Sequence, residues 1–227
     1  MTQSATARGD LRILIVEDHV VFGESLELAL NLEGYDARRV PVPTDERGAG
    51  ALVASIVRQS PRIVLLDLDL GGFGNGVRLI SHLARAGVNV VVVTASSDRA
   101  RWGEAVWMGA RKVLPKSRPL NEILGVVRRI NNNIAVMSTE EREELLGLWH
   151  ERRVERAERQ ERLDRLTVRE RQVLGELMRG RTVSEIARTS VVSEATVRTQ
   201  VKSILAKLKV TSQLAAVGLA HELDWRP

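Results

Sequence analysis

The spacing of apolar positions along this chain changes twice, near residue 138 and again near residue 166. In residues 11–133, short unbroken apolar runs (ILIV at 13–16, IVLL at 63–66, VVVV at 90–93) alternate with stretches such as VVFGESLELALNLEG and PLNEILGVVRRINN, where apolar residues return every three or four positions. Unalternated β-branched runs belong to strands buried on both faces of a parallel sheet, and the spacing between them belongs to helices. With a weaker strand over 37–40 and a helix over 50–59, the pattern predicts five βα units. That is a doubly wound α/β domain built on a five-stranded parallel sheet.

Past residue 138 the apolar positions thin out. Leu145, Leu146, Leu148 and Trp149 form the only stripe, while Glu155/Arg159, Glu158/Arg162 and Glu161/Arg165 set opposite charges four residues apart. Such pairs support an exposed helix, and Ser138 or Thr139 ahead of acidic residues can start one. The segment therefore reads as a largely solvated helical linker; a coiled-coil dimer is disfavoured because the stripe fades after Val154. From residue 166 the pattern is helical again: LTVRERQVLGELMRG, TVSEIARTS, SEATVRTQVKSILAKLK and SQLAAVGLAHEL predict four short helices in a small all-α domain.

Charge separates these pieces further. Residues 1–133 carry 17 basic and 14 acidic side chains, 134–165 carry 7 and 9, and 166–227 carry 10 and 6. A basic excess concentrated in the last, short piece fits a nucleic-acid surface, against the plainer explanation that solubility requires some net charge. The chain has no cysteine, which excludes disulfides, zinc-thiolate sites and thiol catalysis. VNVVVVTA, the longest apolar run, is far short of the roughly 20 residues a membrane helix needs, and MTQSATARGD has no apolar signal region. A soluble protein of the cytoplasm is expected, with no membrane partner.

In doubly wound sheets, ligands sit beyond the carboxyl ends of the strands. Four predicted strand ends here carry Glu17 and Asp18, Asp67, Thr94, and Lys116. Three carboxylates, a hydroxyl and an ammonium should converge there, a set of hard ligands suited to Mg²⁺ and a phosphate oxygen, with a carboxylate as nucleophile. The glycines of LLDLDLGGFGNG do not form a nucleotide-binding loop of the Walker type, which needs Gly-Lys-Ser/Thr opening a helix. They are better read as the loop leaving an acceptor aspartate.

Residues 11–133 resemble the receiver domain of two-component response regulators, in VEDH, LLDLD, VVTAS and LPKS. The resemblance implies that Asp67 accepts a phosphoryl group from a sensor histidine kinase. It further implies that Asp18, Asp67 and the backbone carbonyl of Asp69 hold Mg²⁺ with Glu17 assisting, that Thr94 hydrogen-bonds the phosphoryl group and that Lys116 pairs with it. Two positions depart from the family. Gly71 stands where proline is usual, which predicts a looser loop, and Val113 stands where Tyr or Phe usually swings as a switch. Signalling then uses Thr94 and loop movement, or the receiver serves as a phosphorylation-independent interaction platform.

TVSEIARTSVVSEATVRTQVKSILAKL has helix-turn-helix spacing, with a turn at 191–193 and Ser193-Glu194 opening the second helix. Val197, Val201, Ile204, Leu205 and Leu208 should face the core; Thr196, Arg198, Thr199, Gln200, Lys202 and Ser203 should lie opposite, as in a helix that enters a major groove. Residues 166–221 resemble the LuxR/NarL-type DNA-binding domain. By that resemblance Arg198, Thr199 and Lys202 read the groove, with Ser193, Thr196 and Gln200 near phosphates or bases. Gln200 replaces the family's usual histidine, so base preference does not transfer. The final helix, with Leu214 and Val217, resembles the family's dimerisation helix.

Trp107 should be exposed on the fourth helix and mark a protein contact on the face formed by that helix and the fifth strand, with core packing as the alternative. The four histidines have no metal-ligand spacing, although His19 could line the acidic crevice. Together the resemblances give a receiver over 10–133, a linker over 134–163 and a helix-turn-helix domain over 164–227. The implied function is transcription regulation in a bacterial cytoplasm, with double-stranded DNA, a sensor histidine kinase, a second copy of the chain and RNA polymerase as partners. A distant reading, a Mg²⁺-dependent phosphotransferase of the haloacid dehalogenase kind with Asp69 as second carboxylate, is opposed by the DNA-binding segment.

Overall fold

The protein is described here as a computed structural model covering residues 11–226, so the expectations on MTQSATARGD and on a domain starting at residue 10 lie outside the described residues. The chain divides into two compact units, one ending at His150 and the other starting at Glu151.

In the first unit the strands are β1 (Arg12–Val16), β2 (Asp36–Arg39), β3 (Ile63–Leu66), β4 (Asn89–Thr94) and β5 (Lys112–Pro115), all parallel in the order β2-β1-β3-β4-β5. The helices are α1 (Val20–Leu32), α2 (Ala49–Arg58), α3 (Val77–Arg85), α4 (Arg99–Trp107) and α5 (Leu120–Asn131). The unbroken apolar runs are explained by burial on both faces. Ile13, Ile15, Leu65 and Val91 pack under α1 and α5, while Leu14, Val16, Leu66 and Val92 pack under α2, α3 and α4. The weak strand and the second helix each lie one residue earlier than the sequence pattern places them.

A long helix, α6 (Thr139–Asp164), begins where Ser138 Oγ accepts the Glu141 N–H at 3.1 Å. All three expected ion pairs along it form: Glu155–Arg159 at 3.7 Å, Glu158–Arg162 at 3.3 Å and Glu161–Arg165 at 2.6 Å. The expectation of a largely solvated helix fails for its first half. Leu145 is 2% exposed within the core of the first unit, and Leu146 packs beside it. The apolar stripe that looked too short for a coiled coil is the right length to seat this half on the first unit.

The second unit gathers the end of α6 with α7 (Val168–Met178), α8 (Val183–Thr189), α9 (Glu194–Leu208) and α10 (Gln213–Glu222) around Leu163, Leu174, Ile186, Val197, Val201, Ile204, Leu208 and Ala216. Thr167 and Thr182 each form a reciprocal cap with the glutamate three residues on, which fixes where α7 and α8 start.

Candidate functional site

Strand order reverses between β1 and β3, so the chain leaves these neighbours in opposite directions and opens a crevice at their carboxyl ends. Glu17 and Asp18 follow β1, Asp67 follows β3, Thr94 ends β4 and Lys116 follows β5. The structure brings them together. Asp67 is 2% exposed, and Lys116 Nζ donates to Asp67 Oδ2 at 2.8 Å and to Glu17 Oε1 at 2.7 Å. Burial alone would lower the Lys116 ammonium, but its hydrogen bonds to Asp67 and Glu17 outweigh burial and hold it above its ordinary value. The ammonium also lies 5.1 Å from the centre of the Phe22 ring.

Glu17, Asp18, His19 and Asp67 each offer a ligand atom within 4.8 Å of the others. His19 lines this crevice, its Nδ1 standing 3.1 Å from both Glu17 Oε1 and Asp18 Oδ1. Three carboxylates around one ammonium leave excess negative charge, and hard oxygen donors in that number fit a small divalent cation. Asp69 points its side chain elsewhere: its Oδ1 accepts from Arg101 Nη1 at 2.6 Å, while its N–H donates to Asp67 Oδ1 at 3.2 Å. Thr94 is buried, and its Oγ1 accepts the Ser96 N–H at 3.2 Å.

The expectation of a loose loop at Gly71 is overturned. Residues 70–74 are tied by Phe73 N–H to Leu70 O, Gly74 N–H to Gly71 O, and Leu70 N–H to Gly74 O, each at 3.0 to 3.1 Å, and Phe73 is buried. Gly71 takes φ +51°, in the left-handed region that proline cannot enter. Val113 is buried in the core.

In the second unit, Ser193 Oγ accepts the Thr196 N–H at 3.1 Å and starts α9. Thr196, Arg198, Thr199 and Lys202 are exposed on this helix. Arg198 pairs with Glu194 at 3.1 Å. Two residues assigned to the outward face turn inward instead: Ser203 donates to Glu170 Oε1 at 2.7 Å, and Gln200 is half-buried with its Oε1 enclosed. Leu214 on α10 is 82% exposed, whereas Val217 is half-buried. Trp107 is 52% exposed, as expected, but its ring stacks on Trp149 of the same chain with centroids 4.7 Å apart.

Sequence reasoning missed Arg101, Gly103 and Glu170. The Thr-x-x-Glu spacing at Thr167 is a signal that could have found Glu170 as a cap; nothing in the local sequence singles out Arg101 or Gly103.

An acidic crevice with a largely buried ammonium at the switch point of a doubly wound sheet, in one chain with a helix-turn-helix unit, marks the class of signal-responsive regulators. The chain matches the family described as response regulator receiver domain over residues 13–128, and that described as bacterial regulatory proteins, luxR family, over 164–220. It is 27% identical to the nitrate/nitrite response regulator protein homolog of Haemophilus influenzae, over 93% of this chain and 97% of that one. It is 25% identical to the transcriptional regulatory protein DesR of Bacillus subtilis, over 95% and 98% of the two chains. Among solved structures, the RcsB response regulator of Salmonella typhimurium superimposes with a TM-score of 0.50 at 19% identity, over 93% of this chain and 99% of that one, which shows a shared fold. This chain belongs to the two-component response regulators that join a receiver to a luxR-family DNA-binding domain, a family of transcription regulators and not of enzymes. No described helix is long and apolar enough to cross a membrane.

Proposed function

We propose that the chain is a cytoplasmic transcription regulator switched by phosphorylation of Asp67 by a sensor histidine kinase. The observation that carries this reading is the pairing of buried Asp67 with Lys116 beside Glu17 and Asp18. A carboxylate oxygen of Asp67 forms a bond to phosphorus as the P–N bond of the donor phosphohistidine breaks, and the imidazole leaves with the electron pair. Lys116 and the Thr94 hydroxyl then hold the phosphoryl oxygens. Asp18, Asp67 and the Asp69 carbonyl, with Glu17 behind them, would hold Mg²⁺, which supplies charge neutralisation for the transferring group. In this reading the receiver function resides in residues 10–133 and DNA binding in 164–227, with the helical segment 134–163 between them.

Intact mass after incubation with Mg²⁺ and a small phosphodonor tests it. A single phosphoryl adduct is expected, absent from Asp67→Asn, with DNA affinity raised only in the wild type. No adduct, with DNA binding unchanged, would point to the receiver as an interaction platform.

On DNA, Arg198, Thr199 and Lys202 stand to read base edges in a major groove, with Ser193 and Thr196 near phosphates or bases; Gln200 joins them only by turning out of its half-buried position. Two copies pairing through Leu214 and Val217 would present two recognition helices to paired half-sites, and RNA polymerase is the partner such a dimer would recruit. To reach a base, Arg198 gives up an exposed, solvent-screened ion pair with Glu194, which holds it only weakly. Arg198→Ala is expected to cost about 1–3 kcal/mol on a cognate site and to relax base preference at one position. Equal losses on cognate and random DNA, measured by titration at fixed salt, would make Arg198 a phosphate contact.

A further inference from the structure

Helix α4 is gripped from two sides. Toward the crevice, Arg101 donates to Asp69 Oδ1 at 2.6 Å, to Leu68 O at 2.9 Å and to Asn75 Oδ1 at 3.2 Å, so one guanidinium holds both ends of the acceptor loop. The next residue, Trp102, donates its indole N–H to Ser96 O at 2.9 Å, and Ser96 in turn donates its N–H to Thr94 Oγ1. Away from the crevice, α4 carries the first half of α6. At Gly103 the two helices touch backbone to backbone, since a Cβ placed there would stand 2.0 Å from Leu145 O and 2.9 Å from Trp149 Cβ. Around that point Trp107 stacks on Trp149, Arg99 pairs with Glu144 at 3.1 Å and Lys112 pairs with Glu141 at 2.6 Å.

We infer that the first half of α6 is the receiver's output arm, seated on α4 and unseated when Asp67 carries a phosphoryl group. The inference rests on Asp67 being the acceptor. A phosphoryl group replaces the single negative charge of the Asp67 carboxylate with about two, and adds three acceptor oxygens to a cluster in which Lys116 and Thr94 already have partners. Lys116 must re-aim, and a Thr94 hydroxyl drawn toward the phosphoryl oxygens pulls on Ser96, which is linked through Trp102 to α4. The contact at Gly103 has no slack, because close-packed surfaces change by discrete steps and not by stretching. A small displacement of α4 therefore breaks the seat. This path takes the place of the aromatic swing that Val113 cannot perform. Coupling is reciprocal, so unseating α6 must also change the ease of phosphorylation at Asp67.

The experiment is hydrogen exchange by mass spectrometry on the full chain, following peptides within 139–150, with and without Mg²⁺ and a small phosphodonor, alongside intact mass. In the wild type, exchange in these peptides is expected to speed up at least tenfold with the adduct, and not at all in Asp67→Asn. Gly103→Ala, which suits a helix better than glycine but cannot be accommodated under α6, should show fast exchange without any donor. Arg101→Gln, at equal phosphoryl occupancy, should show a smaller response than the wild type. A wild-type adduct with unchanged exchange in 139–150 overturns the output arm and leaves Asp67 as acceptor. Slow exchange in Gly103→Ala overturns the seat itself, and a missing adduct overturns both readings together.

Discussion

Glu170→Ala is expected to melt the DNA-binding unit while leaving the receiver folded and able to take up a phosphoryl group. Glu170 is 6% exposed, and its carboxylate accepts from Lys207 Nζ, Ser203 Oγ and the Thr167 N–H, each at 2.7 Å. Those donors lie on α9 and at the start of α7, so this side chain joins the two helices that flank the core. Burial works against its charge, but the hydrogen bonds from Lys207, Ser203 and Thr167 together prevail and hold its carboxyl at about 2, below the ordinary 4.5. Truncation strands a half-buried ammonium, a hydroxyl and an N–H, a loss of about 3 kcal/mol. A small unit has little stability to spare, so its melting transition should fall by about 15 °C. Calorimetry of the full chain should show that transition separating from an unmoved receiver, with DNA binding lost at 37 °C.

The same carboxylate sets an acid limit. Its folded-state value is depressed, so its contribution is complete above about pH 4.5 and is lost as pH falls from there toward 2. Glu170→Gln should flatten the stability of the second unit across that window. A slope unchanged from the wild type would show that other carboxylates govern acid unfolding.

The crevice was legible because its members end strands, and strands buried on two faces announce themselves as unbroken apolar runs. Glu17, Asp18, Asp67, Thr94 and Lys116 could all be placed from spacing alone. The recognition helix was legible for a related reason: Val197, Val201, Ile204 and Leu208 mark the buried face and leave the remainder to solvent. What stayed hidden depends on approach between distant segments. Leu145 to Trp149 displayed an apolar stripe without displaying its seat, and Gly103 became informative only once the α6 backbone lay against it. Arg101 is one arginine among many until the loop at 68–75 is folded beneath it. Ser203 and Gln200 were misplaced because periodicity cannot tell that a carboxylate on α7 draws one of them inward.

Gly71→Pro, which restores the residue usual in the family, is expected to damage the proposed acceptor site and not to tighten it. Gly71 sits at φ +51°, more than 100° from the value near −65° that proline requires. Leu70 before it holds φ −104° and ψ 43°, outside the extended region that a following proline imposes. Any side chain at 71 also meets Asp18, because a Cβ there would stand 2.8 Å from Asp18 Oδ2. The loop from 70 to 74 must therefore rebuild, at a cost of about 2–3 kcal/mol, and with it the neighbours of Asp18 and Asp67. Phosphoryl uptake from a small donor should slow at least tenfold, and the concentration of Mg²⁺ giving half the maximal rate should rise. Gly71→Ala, which meets the same oxygen but does not lock φ, should fall between the proline variant and the wild type. Uptake by Gly71→Pro as fast as the wild type would mean that the loop reaches a second, proline-compatible path at little cost. The expected slowing instead makes the absence of proline a requirement of this loop's geometry, with Gly71 fitted against Asp18 and the guanidinium of Arg101 supplying the rigidity that proline gives elsewhere in the family.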